Sequence, residues 1–318
     1  MSLYGKKIVV TGGAGFIGSH LVDRLVSLGA KVFVIDNLSF GKENYINEKA
    51  YFVKADVREY TIVKNILKDA DLIYHLAAVA TTKESAMGWK DPLTDYEVNV
   101  LGTLNILKAI IDLDMDPIVV YTSSAAVYGN PKYLPIDEEH PTNPISPYGI
   151  SKLAGEKYCL AYHQTYGVKS IIFRIFNAYG PRQTRYVILD IFKKLRENHF
   201  ELKVLGTGEQ VRDFIFVSDV VDALILSAEN IACAGEVFNL ASGIPISIKE
   251  LIEKILEVLE LKGKTKVYFT GQSWKGDIVK LIADVTKLKK KLQFEPKYNL
   301  NEGLIKFKDW FFNENDKI

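Results

Sequence analysis

A glycine-rich turn sits directly behind the first apolar run of the chain. Ile8-Val9-Val10 leads into Thr11-Gly12-Gly13-Ala14-Gly15-Phe16-Ile17-Gly18, and a helical pattern opens from there. Glycines at 12, 15 and 18 let the chain turn tightly, let a phosphate approach the backbone and let helix pack closely on strand. The helix N-terminus then faces the turn and favours an anion. A turn of this kind needs a strand before it and a helix after it. Both are present, so the spacing reads as a seat for a dinucleotide pyrophosphate.

The rest of the first half keeps the same rhythm. Val32–Ile35, Leu72–Tyr74, Ile118–Tyr121 and Ser170–Phe173 are short β-branched runs with little alternation, as expected of strands in a parallel sheet covered on both faces. Segments near 16–28, 61–68, 95–111 and 147–166 have helical periodicity. The alternation predicts an α/β fold with a doubly wound parallel sheet. After about residue 178 the rhythm breaks at Gly180-Pro181-Arg182. Residues 1–177 therefore read as a dinucleotide-binding domain and 178–318 as a smaller substrate region. A strand-helix pair at 214–229 and a strand at 237–240 are expected to return to the main sheet.

Composition narrows the function. With 318 residues, a net charge of +1 and a pI of about 7.6, the chain has no global field to recruit nucleic acid or an anionic membrane. Lys287-Leu288-Lys289-Lys290-Lys291 reads as a solvated helix face. Cys159 and Cys233, both expected in helices, suggest no disulfide framework, and five scattered histidines lack the spacing of metal ligands. His75, at the end of an apolar run, reads as packed or loop-lining. With no apolar run of spanning length and a strand opening at once, a cytoplasmic protein is expected.

Asp36 closes the second strand, 18 residues beyond Gly18, where a carboxylate accepts hydrogen bonds from ribose hydroxyls and repels a 2′-phosphate. The cofactor is therefore expected to be NAD. Asp56 stands where it can reach the adenine, and Leu76-Ala77-Ala78 offers small residues along the dinucleotide. Further on, Tyr148 and Lys152 lie four apart on one helical face. A phenol of pKa near ~10 becomes a useful base at neutral pH only with help, and an ammonium nearby is one source of it.

Taken together, Gly12-x-x-Gly15-x-x-Gly18 and Tyr148-x-x-x-Lys152 resemble the extended short-chain dehydrogenase/reductase family, in particular its nucleotide-sugar epimerases and dehydratases. The resemblance extends through Thr122-Ser123-Ser124, through 95–103 with Asn99, through Phe176-Asn177, and through 206–214 with Arg212. It implies Ser124, Tyr148 and Lys152 as the catalytic set, with Lys152 on the nicotinamide ribose and lowering the tyrosine pKa. It implies NAD contacts from Gly12, Gly15, Phe16, Ile17, Gly18, Asp36, Asn37, Ser39, Gly41, Asp56 and Val57. Leu76, Ala77, Ala78, Asn99, Thr122, Phe176, Tyr148 and Lys152 complete that cofactor surface. For a UDP-sugar it implies Ser124, Tyr148, Asn177, Val187, Lys203, Leu205, Arg212, Trp274 and Asp277. It also implies a homodimer built on the helices near 95–111 and 147–166.

The segment after Ser124 separates the chemistries of the family. Its 4,6-dehydratases place an Asp-Glu pair there and its UDP-glucuronate decarboxylases a glutamate at the second position; this chain has Ala125 and Ala126. Elimination needs an acid and a base that alanine cannot supply. The expected reaction is 4-epimerisation of a UDP-sugar: Tyr148 takes the 4-hydroxyl proton, hydride leaves C4 for NAD and returns to the other face. The alternatives are another nucleotide-sugar dehydratase, decarboxylase or 4-reductase, or a non-catalytic NAD-binding regulator. Trp274, where many relatives have arginine, and Leu281, near the position that gates C2 substituents, leave hexose against N-acetylhexosamine open.

Overall fold

A computed structural model describes residues 2–79, 91–272 and 278–315. Strand β1 (Lys7–Thr11), helix α1 (Phe16–Ser27) and β2 (Lys31–Asp36) open the fold, followed by β3 (Tyr51–Lys54), α2 (Tyr60–Leu67) and β4 (Leu72–His75). Helix α3 (Pro92–Asp95) runs through a π-helical segment (Tyr96–Leu101) into α4 (Gly102–Asp112). Then come β5 (Ile118–Ser124), α5 (Pro147–Tyr166) and β6 (Lys169–Ile175).

These six strands and β10 (Val237–Leu240) form a seven-stranded sheet in the order β10-β6-β5-β4-β1-β2-β3. Each described pair in it is parallel. The pleat explains why these runs lack polar alternation. Ile8 and Val10 pack on one face with Leu21 and Leu25 of α1, while Val9 packs on the other with Val63, Leu67 and Ile106. Strand order reverses between β1 and β4, and the crevice beyond their carboxyl ends is where such a sheet binds ligand.

The second lobe has its own core. Strands β7 (Asn177–Tyr179), β9 (Val211–Phe216) and β11 (Pro245–Ser247) form a three-stranded sheet; β8 (Glu201–Val204) and β12 (Lys266–Phe269) pair separately. Helices α6 (Val187–Glu197), α8 (Ile248–Val258) and α10 (Leu300–Asn315) pack around them through Phe192, Ile255 and Phe307. Of the segment expected to return to the main sheet, β10 does so beside β6, and α7 (Val217–Glu229) packs against α1. Strand β9 does not. Its partners are β7 and β11, since an apolar run specifies a buried strand and not which sheet it joins.

Cys233 lies in a short 3₁₀ helix (Ile231–Cys233) rather than an α-helix. On α9 (Thr286–Leu292) Lys289, Lys290 and Lys291 are exposed, as expected of a solvated face, and Lys287 and Lys291 also pair with Glu236. No described helix is long and apolar enough to cross a membrane.

Candidate functional site

A cavity of about 960 Å³ opens beyond the carboxyl ends of β1, β4 and β5 and runs between the two lobes. The glycine turn forms one end. Gly12 has φ 72, and a Cβ there would stand 2.7 Å from the Ala77 nitrogen; one on Gly18 would meet the Gly12 carbonyl oxygen at 2.1 Å. Neither position accepts a side chain, so β1, α1 and the chain after β4 close on one another. Helix α1 starts at Gly15 with no side-chain cap and no acidic residue in its first turn. Its N–H groups and dipole are left for an anion.

At the end of β2, Asp36 is buried and accepts from the Ala14 N–H at 3.0 Å and the Leu38 N–H at 2.8 Å. Burial pushes its carboxyl upward, opposed by those two bonds. Each oxygen keeps a lone pair for a ribose hydroxyl. Asn37 Nδ2 donates to Asp56 at 2.7 Å, and Arg58 forks onto the same carboxylate at 2.9 Å. Burial alone would raise Asp56, but Arg58 and Asn37 outweigh it and hold it below the usual carboxylate range. Ser39, Gly41, Val57, Leu76, Ala77 and Ala78 line the same stretch. The backbone cradle at Gly12 and Gly18, with Asp36 beside it, fits NAD.

At the other end, Ser146 caps α5 by accepting the Gly149 N–H at 3.1 Å, and Pro147 occupies its first turn. Tyr148 follows and points to Ser124 at the end of β5. The Ser124 hydroxyl has two duties. It accepts the Ala126 N–H at 3.2 Å and is the hydrogen-bond partner of the Tyr148 phenol. That phenol is held well above its ordinary pKa, first by burial and then by the nearby Tyr186 phenol; Ser124 and Arg185 act the other way.

Lys152 is buried, and desolvation brings its ammonium down to about 7 despite the Cys159 thiol and the Glu156 carboxylate. In this structure the influences that lower the Tyr148 phenol are Ser124 and Arg185. Beneath Lys152, Glu156 takes the Arg174 guanidinium at 2.9 Å and the Ser123 hydroxyl, while Arg174 also donates to the Tyr128 hydroxyl at 3.0 Å. His75 is buried between the Thr11 hydroxyl at 2.7 Å and the Thr103 hydroxyl at 2.9 Å. Burial and the Lys152 charge bring it to about 3, so it stays neutral.

Thr122, Phe176, Asn177, Val187, Leu205 and Arg212 line the cavity. Asn177 Nδ2 donates to the Asp213 carbonyl at 3.0 Å, and Arg212 Nη1 to the Val211 carbonyl at 2.9 Å. Two of the expected residues, Asn99 and Lys203, are not among those lining the cavity. Asn99, in the π-helical segment, spends its amide on Val79, accepting its N–H and donating to its carbonyl, each at 2.9 Å, and donates to Ser151 Oγ at 2.9 Å. It fastens the chain after β4 to α5 instead of lining the cavity. Lys203 is exposed, because β8 alternates and puts Leu202 and Val204 inward. Trp274 and Asp277 lie outside the described residues.

The sequence reading missed Phe40, Arg185 and Tyr186, which also line the cavity. An exposed aromatic beside Ser39 and an Arg-Tyr pair just ahead of a helix were the signals on offer.

The family model described as "NAD dependent epimerase/dehydratase family" matches residues 8–241. A Methanocaldococcus jannaschii protein provisionally named a UDP-glucose 4-epimerase is 38% identical, over 97% of this chain and 99% of its own length. Among solved structures, the Thermotoga maritima UDP-glucose 4-epimerase with UDP-glucose is 35% identical with a TM-score of 0.88, covering 97% of this chain and 99% of its own. The UDP-N-acetylglucosamine 4-epimerase of Methanobrevibacter ruminantium is also 35% identical, with a TM-score of 0.89, covering 98% and 99%. Arabidopsis thaliana UDP-glucuronic acid decarboxylase 1 is similar too, at 35% over 98% of this chain and 72% of its own.

Proposed function

Because the chain belongs to the NAD-dependent epimerase/dehydratase family, we propose that it interconverts the 4-epimers of a UDP-sugar. The observation that carries this reading is the apolar wall beside Tyr148. Ala125 and Ala126 follow Ser124 and line the cavity where elimination would need a second acid or base. Among the described lining residues the carboxylates are Asp36, Asp56 and Asp190. The first two belong to the dinucleotide end, and Asp190 is paired with Lys194 at 2.7 Å. Tyr148 is thus the proton carrier the sugar meets, and a lone reversible base suits epimerisation better than loss of water or carbon dioxide.

NAD, held along the Gly12–Gly18 turn and Asp36, would supply the hydride acceptor and donor for C4 of the sugar. Tyr148 accepts the 4-hydroxyl proton and later returns it, with Ser124 orienting the phenol through their hydrogen bond. Asn177, Val187, Leu205 and Arg212 face the part of the cavity left for the nucleotide diphosphate, for which a guanidinium is apt chemistry. Relatives with a UDP-glucose name and with a UDP-N-acetylglucosamine name are equally similar, so the sugar is taken as a hexose or its N-acetyl form. A homodimer belongs to the same reading: Tyr96, Leu101, Ile150 and Tyr158 are exposed on the two helical stretches it would pair. Proton NMR of the protein incubated in turn with UDP-galactose, UDP-N-acetylgalactosamine and UDP-glucuronate tests the proposal. It expects a 4-epimer from at least one of the first two and no pentose from the third; no epimer from either would end it.

A further inference from the structure

Tyr186, the residue ahead of α6, has φ 82 and ψ 171. That corner of backbone space is essentially reserved for glycine, and a bulky residue held there stores strain. Two contacts fix it. The Tyr186 carbonyl accepts the Asp190 N–H at 3.0 Å, the first hydrogen bond of the helix. The Arg185 guanidinium lies 5.5 Å from the centre of the Tyr186 ring and 5.2 Å from that of Phe40, spanning from α6 to the loop after β2.

The strain gains nothing for the core, because the Tyr186 side chain stays 49% exposed. A glycine there would relieve the backbone without emptying any packed space. What the ring does instead is wall the cavity that Tyr148 faces. It stands close enough that charge on one phenol opposes charge on the other.

We propose that Tyr186 is a specificity-determining residue of the sugar subsite, holding a pyranose against Tyr148 so that a UDP-sugar is told apart from UDP. An aromatic ring offers a flat apolar face for the C–H side of a sugar, and its hydroxyl can pair with one of the sugar's own. Arg185, stacked between Phe40 and Tyr186, keeps the ring from swinging away. This assignment rests on the UDP-sugar reading above.

Calorimetric binding of UDP, UDP-glucose and UDP-N-acetylglucosamine to the NAD-loaded protein tests it, with Tyr186→Gly, Tyr186→Ala and Tyr186→Phe beside the wild type. The wild type is expected to prefer at least one UDP-sugar over UDP. Gly and Ala should lose roughly three- to tenfold of UDP-sugar affinity, keep UDP affinity, and so erase most of the preference, while Phe retains most of it. Tyr186→Gly should unfold at a higher temperature than wild type and Tyr186→Ala should not, which separates backbone relief from ring loss. Unchanged UDP-sugar binding in the Gly and Ala variants, equal losses for UDP and UDP-sugar, or a wild type without preference would each overturn it. Wild-type turnover by NMR judges the reaction separately: a Tyr186-dependent preference in a protein that does not epimerise supports the residue and rejects the chemistry.

Discussion

The Lys152 ammonium lies 4.3 Å from the centre of the Tyr121 ring, and the hydroxyl of that same tyrosine donates to the Lys152 carbonyl at 3.3 Å. One buried aromatic on β5 thus receives the charge of the lysine and fastens its backbone. Gly155 permits the contact, since a Cβ there would meet the Tyr121 hydroxyl at 2.2 Å. The lysine is held in place, but in surroundings that disfavour its charge.

The stability of the nucleotide-free protein should carry the mark of that burial. Lys152 titrates near 7 in the fold and near 10.5 when unfolded. Between those values the unfolded chain binds the extra proton, so this group makes stability rise with pH across the window and costs most below pH 7. Lys152→Met should therefore raise the unfolding temperature at pH 6, by an amount on the order of a few kcal/mol in free energy, and the gain should shrink towards pH 10. A gain independent of pH would contradict the assignment.

Tyr148→Phe removes the proton carrier and leaves the ring. Turnover should fall by about 10²- to 10⁴-fold, while UDP-sugar affinity changes little. NMR rates and calorimetry on the same preparation separate the two, and a variant retaining a tenth of wild-type turnover would disprove the role. Ser124→Ala should act in the same direction, since it takes away a hydrogen bond that eases ionisation of the phenol.

Asp36 should decide between the two nicotinamide dinucleotides. Asp36→Asn keeps the shape and removes the charge that repels a 2′-phosphate, so NAD affinity should drop and NADP affinity rise. Equilibrium dialysis against each cofactor measures the ratio, expected to move by about tenfold or more. The variant also alters acceptors for the Ala14 and Leu38 N–H groups, so its unfolding temperature should fall slightly.

Glu156→Gln strands a buried guanidinium. Urea unfolding should show a loss of about 3–5 kcal/mol, against a markedly smaller loss for Glu156→Gln combined with Arg174→Met. Equal losses would mean that the pair is not coupled.

What could be read from the sequence was local. The glycines at 12, 15 and 18, Asp36 eighteen residues on, and the Tyr148–Lys152 spacing each lie within one turn or one βαβ unit, where spacing fixes geometry. What escaped depends on contacts distant in sequence or on unusual backbone. Arg174 reaches Glu156 only because β6 lies beside β5 under α5. Asn99 is turned to Val79 and Ser151 by a π-helical segment, Tyr96–Leu101, whose composition gives no sign of a wider turn. Lys203 depended on which face of a four-residue strand looks inward. Tyr186 occupies a conformation its own side chain opposes, so no propensity rule would place it there.

The pairing of β10 with β6 has a consequence for how the protein is made. The edge of β6 is covered by a strand synthesised some sixty residues later, after the first strands of the second lobe. While the chain emerges from the ribosome, an apolar parallel strand stays uncapped until residue 240 has cleared the exit tunnel. Messenger segments encoding 178–240 are thus where slow translation would prolong exposure of a sticky edge.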